Sequence, residues 1–211
     1  MPPLALHHEG EFFPEIDNIE VDTILRIHGY KKPSEVRVAI RETAKKMIAV
    51  SIPLFEPTVY YRQFRIQTLD GSRLELSGGG VSLHNPAFSN VLSACGEGMV
   101  FLLTLGDKPD TMSTTLQQSD HLLEALFLES ASWLAIEHAT RSFVTALRRR
   151  SEKHSCRITS RLAPGYGDWP LTDQQGIFCL FQGWDIKIRL TDGDCMQPKM
   201  SRSGLYGIRP L

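Results

Sequence analysis

Apolar side chains recur at helical spacing in three stretches of the sequence. The first is residues 19–27, and Gly29 is predicted to end that helix. The second begins after its predicted N-cap, Ser34, and is predicted to end at Pro53. The third, Gln117 to Arg150, contains no glycine or proline and many helix-forming residues. It is therefore predicted to form one long helix.

One line of side chains on the predicted long helix includes a carboxylate. At about 100° per residue, Leu126, Trp133 and Val144 fall within about 40° of one line, which predicts a stripe that faces the core. Glu137 lies on the same line. A buried carboxylate needs a partner, and two interpretations are open: an internal ion pair with an arginine, or contact with a ligand.

Other apolar runs have the length and composition of strands. Residues 58–66 are rich in β-branched and aromatic side chains, and Asp70-Gly71 predicts a hairpin turn after them. The continuous apolar run at 99–105 predicts a strand buried on both faces. Residues 186–190 alternate as a shorter strand does, and after Asp192-Gly193 the chain is predicted to continue as a glycine-rich tail.

The segment Arg161 to Pro170 is predicted to be a shaped loop. It holds two prolines, two glycines, two aromatic residues, a cation and a carboxylate, which favours neither a helix nor a central strand. A capping box at residues 172–175 then predicts a helix that stops at Gly183. Loops on a rigid scaffold often carry function, although a turn packed by its own aromatic side chains remains the alternative.

The loop and the long helix together suggest a binding site. Arg161 can bind a carboxylate with two hydrogen bonds, and the peptide groups from Ala163 to Gly165 can bond to a ligand. Tyr166 and Trp169 offer flat faces for a ring or a sulfonium group. With Glu137 receiving an ammonium group, the set would suit an amino acid derivative that carries a cationic centre.

Composition narrows the function classes. Of 211 residues, 42% are hydrophobic and 22% charged, which predicts a globular chain: an N-terminal extension over residues 1–18 and a single domain over 19–211. Basic and acidic residues nearly cancel, 23 against 24, so neither nucleic acid nor an anionic membrane is an expected partner. Small molecules and other proteins are the expected partners.

Several other chemistries lack a residue set in this sequence. The four cysteines form no CxxC pair, so no metal site is expected and the thiols are expected to be reduced. Gly78-Gly79-Gly80 lacks the flanking residues of a phosphate-binding loop, and no GxSxG or HExxH motif is present. With no secretory signal and no run of about 20 apolar residues, a cytoplasmic protein is expected.

Four segments resemble the activation domain of cobalamin-dependent methionine synthase in its free-standing form. The loop Arg161-Leu-Ala-Pro-Gly-Tyr166 is similar to the RxxxGY signature of that family, and Ser160 to Gln174 extends the similarity. Ile24 to Tyr30 resembles the opening helix and Phe101 to Gly106 the buried strand. The closing segment of the family is similar to residues 196–206, which include Tyr206.

This resemblance implies an α+β fold, with a twisted antiparallel sheet flanked by helices and a ligand in a shallow cleft. It implies that S-adenosylmethionine (AdoMet) binds here and supports the reductive remethylation of cob(II)alamin, the inactive B12 cofactor of a separately encoded methyltransferase such as methionine synthase. The partners implied are that cobalamin-binding protein and a flavodoxin-type electron donor. Such a chain is an accessory subunit in methionine biosynthesis.

Residue roles follow from the resemblance. Arg161 would bind the ligand carboxylate, the Ala163 and Gly165 backbone would hold the ligand, and Tyr166 would face the corrin ring or the methyl group. The remaining cofactor-binding residues implied are Glu137 and Tyr206. The chain departs from the family one turn before Glu137, where Trp133 replaces a second acid.

Two other functions stay open on the sequence alone. One is an interaction module that docks on the corrinoid protein but has lost ligand binding. The other is an unrelated small-molecule enzyme that uses Glu137 and Arg161, which would turn over substrate without any corrinoid.

Overall fold

A computed structural model describes residues 7–78 and 80–211 of the chain. In these residues the helices are α1 (Val21–Ile27), α2 (Val38–Ser51), α3 (Phe88–Leu92), α4 (Lys108–Gln118), α5 (Leu122–Lys153) and α6 (Gln174–Cys179). The strands are β1 (Glu9–Phe12), β2 (Thr58–Asp70), β3 (Arg73–Leu76), β4 (Ser82–His84), β5 (Glu97–Thr104), β6 (Cys156–Ile158), β7 (Arg189–Leu190), β8 (Met196–Gln197) and β9 (Ser201–Pro210).

Seven of the strands form one antiparallel sheet. Its order is β4-β3-β2-β5-β9-β6, with β1 also paired to β2, while β7 and β8 form a separate two-stranded ribbon. The predicted hairpin is present, because β2 and β3 pair on either side of Gly71, whose φ of 58° suits glycine. The expected α+β architecture, an antiparallel sheet flanked by helices, is confirmed.

Strand β5 lies between two hydrophobic layers. Its side chains alternate, so Met99, Phe101 and Leu103 pack in one cluster with α1, α2 and α5. Val100 and Leu102 pack in the other cluster, which includes Trp169 and residues of α6. The continuous apolar run was predicted to be buried on both faces, and this is confirmed.

The long helix starts later than predicted and turns a different face to the core. It begins at Leu122, because the helix is interrupted at Asp120, which has a φ of 59°. The residues up to Gln118 belong to α4. Its buried side includes Phe127 and Phe143. Leu126 and Trp133 are 46% and 47% exposed, so the prediction that their stripe faces the core is wrong.

Both predicted side-chain caps are wrong. Ser34 lies in a 3-10 turn, and α2 starts only at Val38 without a side-chain cap. Another 3-10 turn, Leu171–Asp173, precedes α6, which also has no side-chain cap. The Asp173 carboxylate instead accepts hydrogen bonds from the Trp169 indole at 2.9 Å and from the His84 backbone N–H at 2.6 Å.

The predicted tail is a central part of the sheet. Residues 201–210 form β9, which pairs with β5 on one side and β6 on the other. The strand predicted at residues 186–190 is reduced to β7. Of the glycines in β9, Gly204 and Gly207 leave no room for a Cβ atom, since it would lie 2.8 Å and 2.6 Å from the nearest side-chain atom.

Part of the predicted N-terminal extension lies in the sheet, because residues 9–12 form β1. Residues 1–6 and Gly79 of the glycine triplet lie outside the described residues, and the division into extension and domain stays a prediction. Across the described ranges, none of the helices is long and apolar enough to cross a membrane.

Candidate functional site

The predicted loop is held against the edge of the sheet. After β6, Thr159 donates its backbone N–H to Gly207, and Leu162 exchanges two backbone hydrogen bonds with Leu205 at 3.0 and 2.8 Å. Ser160 and Arg161 therefore lie opposite the single residue Tyr206 between two paired positions, as in a β-bulge. A bulge redirects the side chains next to it, and here it turns Arg161 across β9.

The side chain of Arg161 crosses β9 at a glycine. A Cβ atom on Gly204 would lie 3.0 Å from Cγ of Arg161, so the absence of a side chain there provides the space. Arg202 and Tyr206 stand two residues to either side of Gly204 on the same face of the strand. The Arg161 guanidinium carbon lies 5.5 Å from the centre of the Tyr166 ring, a cation–π distance.

Glu137 of α5 forms an ion pair with Arg202, whose side chain is 16% exposed. The hydrogen bond from Arg202 is the main reason that the pKa of Glu137 lies below its ordinary value, and the charges of Arg202, Arg161 and Arg141 lower it further against the effect of burial. Two interpretations of Glu137 were open, and the structure shows the ion pair with an arginine. Arg161 is close enough to influence the same carboxylate.

Replacing Glu137 with glutamine tests this ion pair. Because the folded-state pKa is depressed, the ionised carboxylate stabilises the fold above its unfolded-state pKa, near 4.5, and this stabilisation is lost as the pH falls through the folded-state value. At neutral pH we expect the variant to lose less than about 1 kcal/mol, since the side chain is partly exposed and screened. Urea unfolding at a series of pH values measures the difference, which should shrink below pH 4.5; a difference independent of pH would contradict the assignment.

Tyr206 is buried beside these charges. It is 4% exposed and stacks on Phe101, with 5.6 Å between ring centres and 17° between ring planes. Burial raises the pKa of its hydroxyl above the ordinary value, although the nearby charges of Arg161, Arg148 and Arg202 act in the opposite direction. The phenol is therefore protonated at neutral pH and can donate a hydrogen bond.

The tip of the loop is closed by its own backbone. The Gly165 N–H donates to Trp169 at 2.9 Å, and the Tyr166 N–H donates to Ala163 at 3.2 Å. Ala163 is buried, and Gly165 has a φ of 83°, a conformation that favours glycine. The Gly165 N–H and the Ala163 carbonyl are thus engaged within the loop, which leaves the Gly165 carbonyl oxygen for a ligand.

The two loop aromatic residues have opposite environments. Tyr166 is 67% exposed, as expected for a side chain that meets a ligand. Trp169 is 1% exposed and packs edge-on against Phe88, with 4.9 Å between ring centres. The prediction that Trp169 offers a face to a ligand is therefore wrong, and the ring anchors the loop to the core.

A cleft of about 1280 Å³ opens beside the loop tip. Pro164, Gly165 and Tyr166 line it, whereas Arg161, Ala163, Glu137 and Tyr206 do not. The facing wall consists of the start of α4 and the segment that carries β7 and β8; its charged members are Asp107, Asp110, Lys187, Arg189, Asp194 and Lys199. The loop therefore separates two surfaces, the cleft and the arginine-containing face between β9 and α5.

Two residues of this region were not found from the sequence. Arg202 could have been found by alternation from Tyr206, had the tail been interpreted as a strand. Gln174 is buried in the cleft wall, where it accepts a hydrogen bond from Ser203 at 2.9 Å, and its Nε2 has no partner among the described residues. No cluster of three potential metal ligands occurs in the same residues.

Comparisons with known proteins identify the fold. No family model matches the chain, and no curated protein matches it in sequence. The chain has the α+β fold of a reactivation domain whose structure is solved. The solved structure is the MetH reactivation domain bound to AdoHcy; the similarity covers 98% of this chain and 80% of that one, with 16% identity and a TM-score of 0.61. The resemblance noted in the sequence is thereby confirmed at the level of the fold.

Proposed function

We propose that this protein is an AdoMet-binding reactivation subunit that acts in the cytoplasm on a separately encoded corrinoid-dependent methyltransferase such as methionine synthase. The observation that carries the proposal is the convergence of Arg161, Glu137 and Tyr206, which come from three separate parts of the sequence. The fold shared with a reactivation domain bound to AdoHcy, the demethylated form of AdoMet, supports it.

Each residue has a role in this proposal. Arg161 binds the ligand carboxylate with its planar guanidinium, and the backbone of Ala163 and Gly165 holds the ligand at the loop tip. Tyr166, which is exposed and lies beside Arg161, faces the corrin ring or the methyl group. Glu137 receives the ligand ammonium group, for which it must share its contact with Arg202.

The chemistry is divided among this chain, its ligand and its partners. AdoMet would supply the methyl group and leave as AdoHcy when its carbon–sulfur bond breaks, and a flavodoxin-type donor would supply the one electron that the remethylation of cob(II)alamin on the partner requires. The residues of this chain bind and orient AdoMet against the partner. No residue described here needs to transfer a proton.

A second candidate function is a docking module that no longer binds AdoMet. Two observations favour it: Glu137 is already engaged by Arg202, and Trp133, which stands one turn before Glu137 where the family has a second acid, is 47% exposed. An exposed tryptophan on a helix is more suited to a protein contact than to an ammonium group.

Calorimetry with AdoMet distinguishes these functions. We expect wild-type protein to bind AdoMet, alone or with a corrinoid-loaded methyltransferase, and Arg161→Gln to weaken binding by about tenfold or more, because a charge-assisted contact is removed. Arg157→Gln is the matched control, since Arg157 is an exposed arginine of β6, in register with Arg209.

The absence of any AdoMet binding by wild-type protein in both settings would overturn the first proposal. In that case, binding of the methyltransferase that is equal for wild type and Arg161→Gln would support the docking module. Equal AdoMet affinity of wild type and Arg161→Gln would contradict the role given to Arg161.

A further inference from the structure

The face between β9 and α5 carries more positive charge than its carboxylate can balance. Arg202 contacts Glu137, and Arg161 crosses the same strand two residues away. On α5, Arg141 follows Glu137 by one turn, and Arg148 follows Arg141 by two turns. The charges of Arg202, Arg161 and Arg141 act on the Glu137 carboxylate, and the charge of Arg148 acts on the Tyr206 hydroxyl.

Three of these guanidinium groups are without an ion pair in the part of the chain that the structure describes. Among the described residues, neither Arg161, Arg141 nor Arg148 lies within 4.0 Å of a carboxylate oxygen. Arg161 is nevertheless held in place, by packing over Gly204 and by the Tyr166 ring. A guanidinium that is fixed but unpaired is prepared to bind an anion with little loss of side-chain freedom.

Hydrogen-bond donors converge at the same place. The Arg161 side chain packs over Gly204, and Arg202 and the buried residue Tyr206 stand two positions to either side of Gly204 on the same face of β9. Arg202 keeps donors beyond those it gives to Glu137 and to the Thr140 hydroxyl. Several donors around a small volume match a group with three or four acceptor oxygens.

We propose that Arg161, Arg202 and Tyr206, with Arg141 and Arg148 at the rim, form a binding site for a phosphate group. A phosphate monoester accepts hydrogen bonds on three oxygens and carries up to two negative charges, which the unpaired arginines neutralise. Glu137 does not repel this ligand strongly, because Arg202 already compensates its charge. The site shares Arg161 and Tyr206 with the AdoMet site proposed above, so the two ligands would compete for it.

Calorimetry at low ionic strength tests the site with three probes: inorganic phosphate, adenosine 5′-monophosphate and adenosine. We expect the monophosphate to bind more tightly than adenosine, and Arg161→Gln and Arg202→Gln each to weaken that binding by about tenfold. Arg161→Lys should recover only part of the affinity, because it keeps the charge but loses the fork. Added salt should weaken binding of the monophosphate by wild-type protein.

Binding of inorganic phosphate as well would identify the phosphate group itself as the ligand, and binding of the monophosphate alone would identify a phosphate ester. Equal affinity for adenosine and its monophosphate would overturn the proposal, as would an equal loss in the control Arg157→Gln. Circular dichroism of each variant establishes that it is folded. These outcomes do not depend on whether AdoMet binds.

Discussion

Replacement of Trp169 by alanine is expected to lower the free energy of unfolding by about 3–5 kcal/mol, the range found when a large aromatic side chain is removed from a core. The ring is 1% exposed and packs against Phe88. Its N–H is bonded to Asp173, whose carboxylate also accepts a hydrogen bond from the β4 backbone at His84. Removing the ring therefore leaves a cavity and releases the loop from the α3 and β4 side of the molecule.

Tyr166→Ala is the matched control for this substitution, because it removes the other loop aromatic residue. Tyr166 is 67% exposed, so the free energy of unfolding should change by less than about 0.5 kcal/mol. Urea denaturation measures both variants. Similar losses of stability in the two variants would contradict the assignment of Trp169 as the anchor and Tyr166 as the exposed face.

Gly204→Ala is expected to destabilise the fold by about 1–3 kcal/mol, as overpacking of a core does. The added Cβ would lie 2.8 Å from the Phe101 ring and 3.0 Å from both the Leu162 carbonyl oxygen and Cγ of Arg161. The Phe101 ring is fully buried, and the Leu162 carbonyl is fixed by its hydrogen bond with Leu205. Arg161 is the group most free to move, so the substitution should displace its side chain. It should therefore also weaken the binding of any ligand that Arg161 contacts.

Gly193→Ala is the control for Gly204→Ala. The nearest atom to a Cβ at Gly193 is the Thr191 hydroxyl oxygen at 4.0 Å, and Gly193 does not have a positive φ. The free energy of unfolding of the Gly193→Ala protein should therefore differ from that of the wild type by less than about 0.5 kcal/mol. Thermal or urea unfolding compares the two variants, and a Gly204→Ala protein as stable as Gly193→Ala would show that β9 and the bulge are not closely packed.

Local chemistry was sufficient to predict the elements whose signals are strong. The apolar run of β5, the turn at Gly71 and the loop from Arg161 to Pro170 all follow from residue types that have few structural alternatives. The helical periodicity of α5 was also recognisable. Its buried face was not, because apolar residues occur on more than one side of this helix, and the packing partners decide which side is covered.

The role of the C-terminal segment could not be predicted because its composition contradicts its position. Glycines at 204 and 207 lower β-propensity, yet each is required by a neighbouring side chain that occupies the space beside the strand. The break between α4 and α5 was missed for a related reason. It occurs at Asp120, which adopts a positive φ where no glycine or proline marks a boundary.

The candidate site was partly predictable for the same reasons. The exposed Tyr166 and the proximity of Arg161 to Glu137 agree with expectations from the loop composition and the helix position. The sequence leaves the partner of Glu137 open, because Arg202 lies on β9, where the composition predicts a glycine-rich tail. Trp169 and Tyr166 looked alike in sequence, and only the presence of Phe88 and Asp173 on one side of the loop separates their roles.

The position of β9 also affects the order of folding. It is inserted between β5 and β6, and its partners on β5, such as Glu97 opposite Ile208, are distant in sequence. Closing so long a loop is entropically costly and slow, whereas α5 contains mainly local contacts. In a folding intermediate with α5 formed and β9 not yet docked, Glu137 would lack its ion pair with Arg202. Arg161 would lack its packing over Gly204. The candidate site is therefore expected to be complete only after β9 has docked in the centre of the sheet.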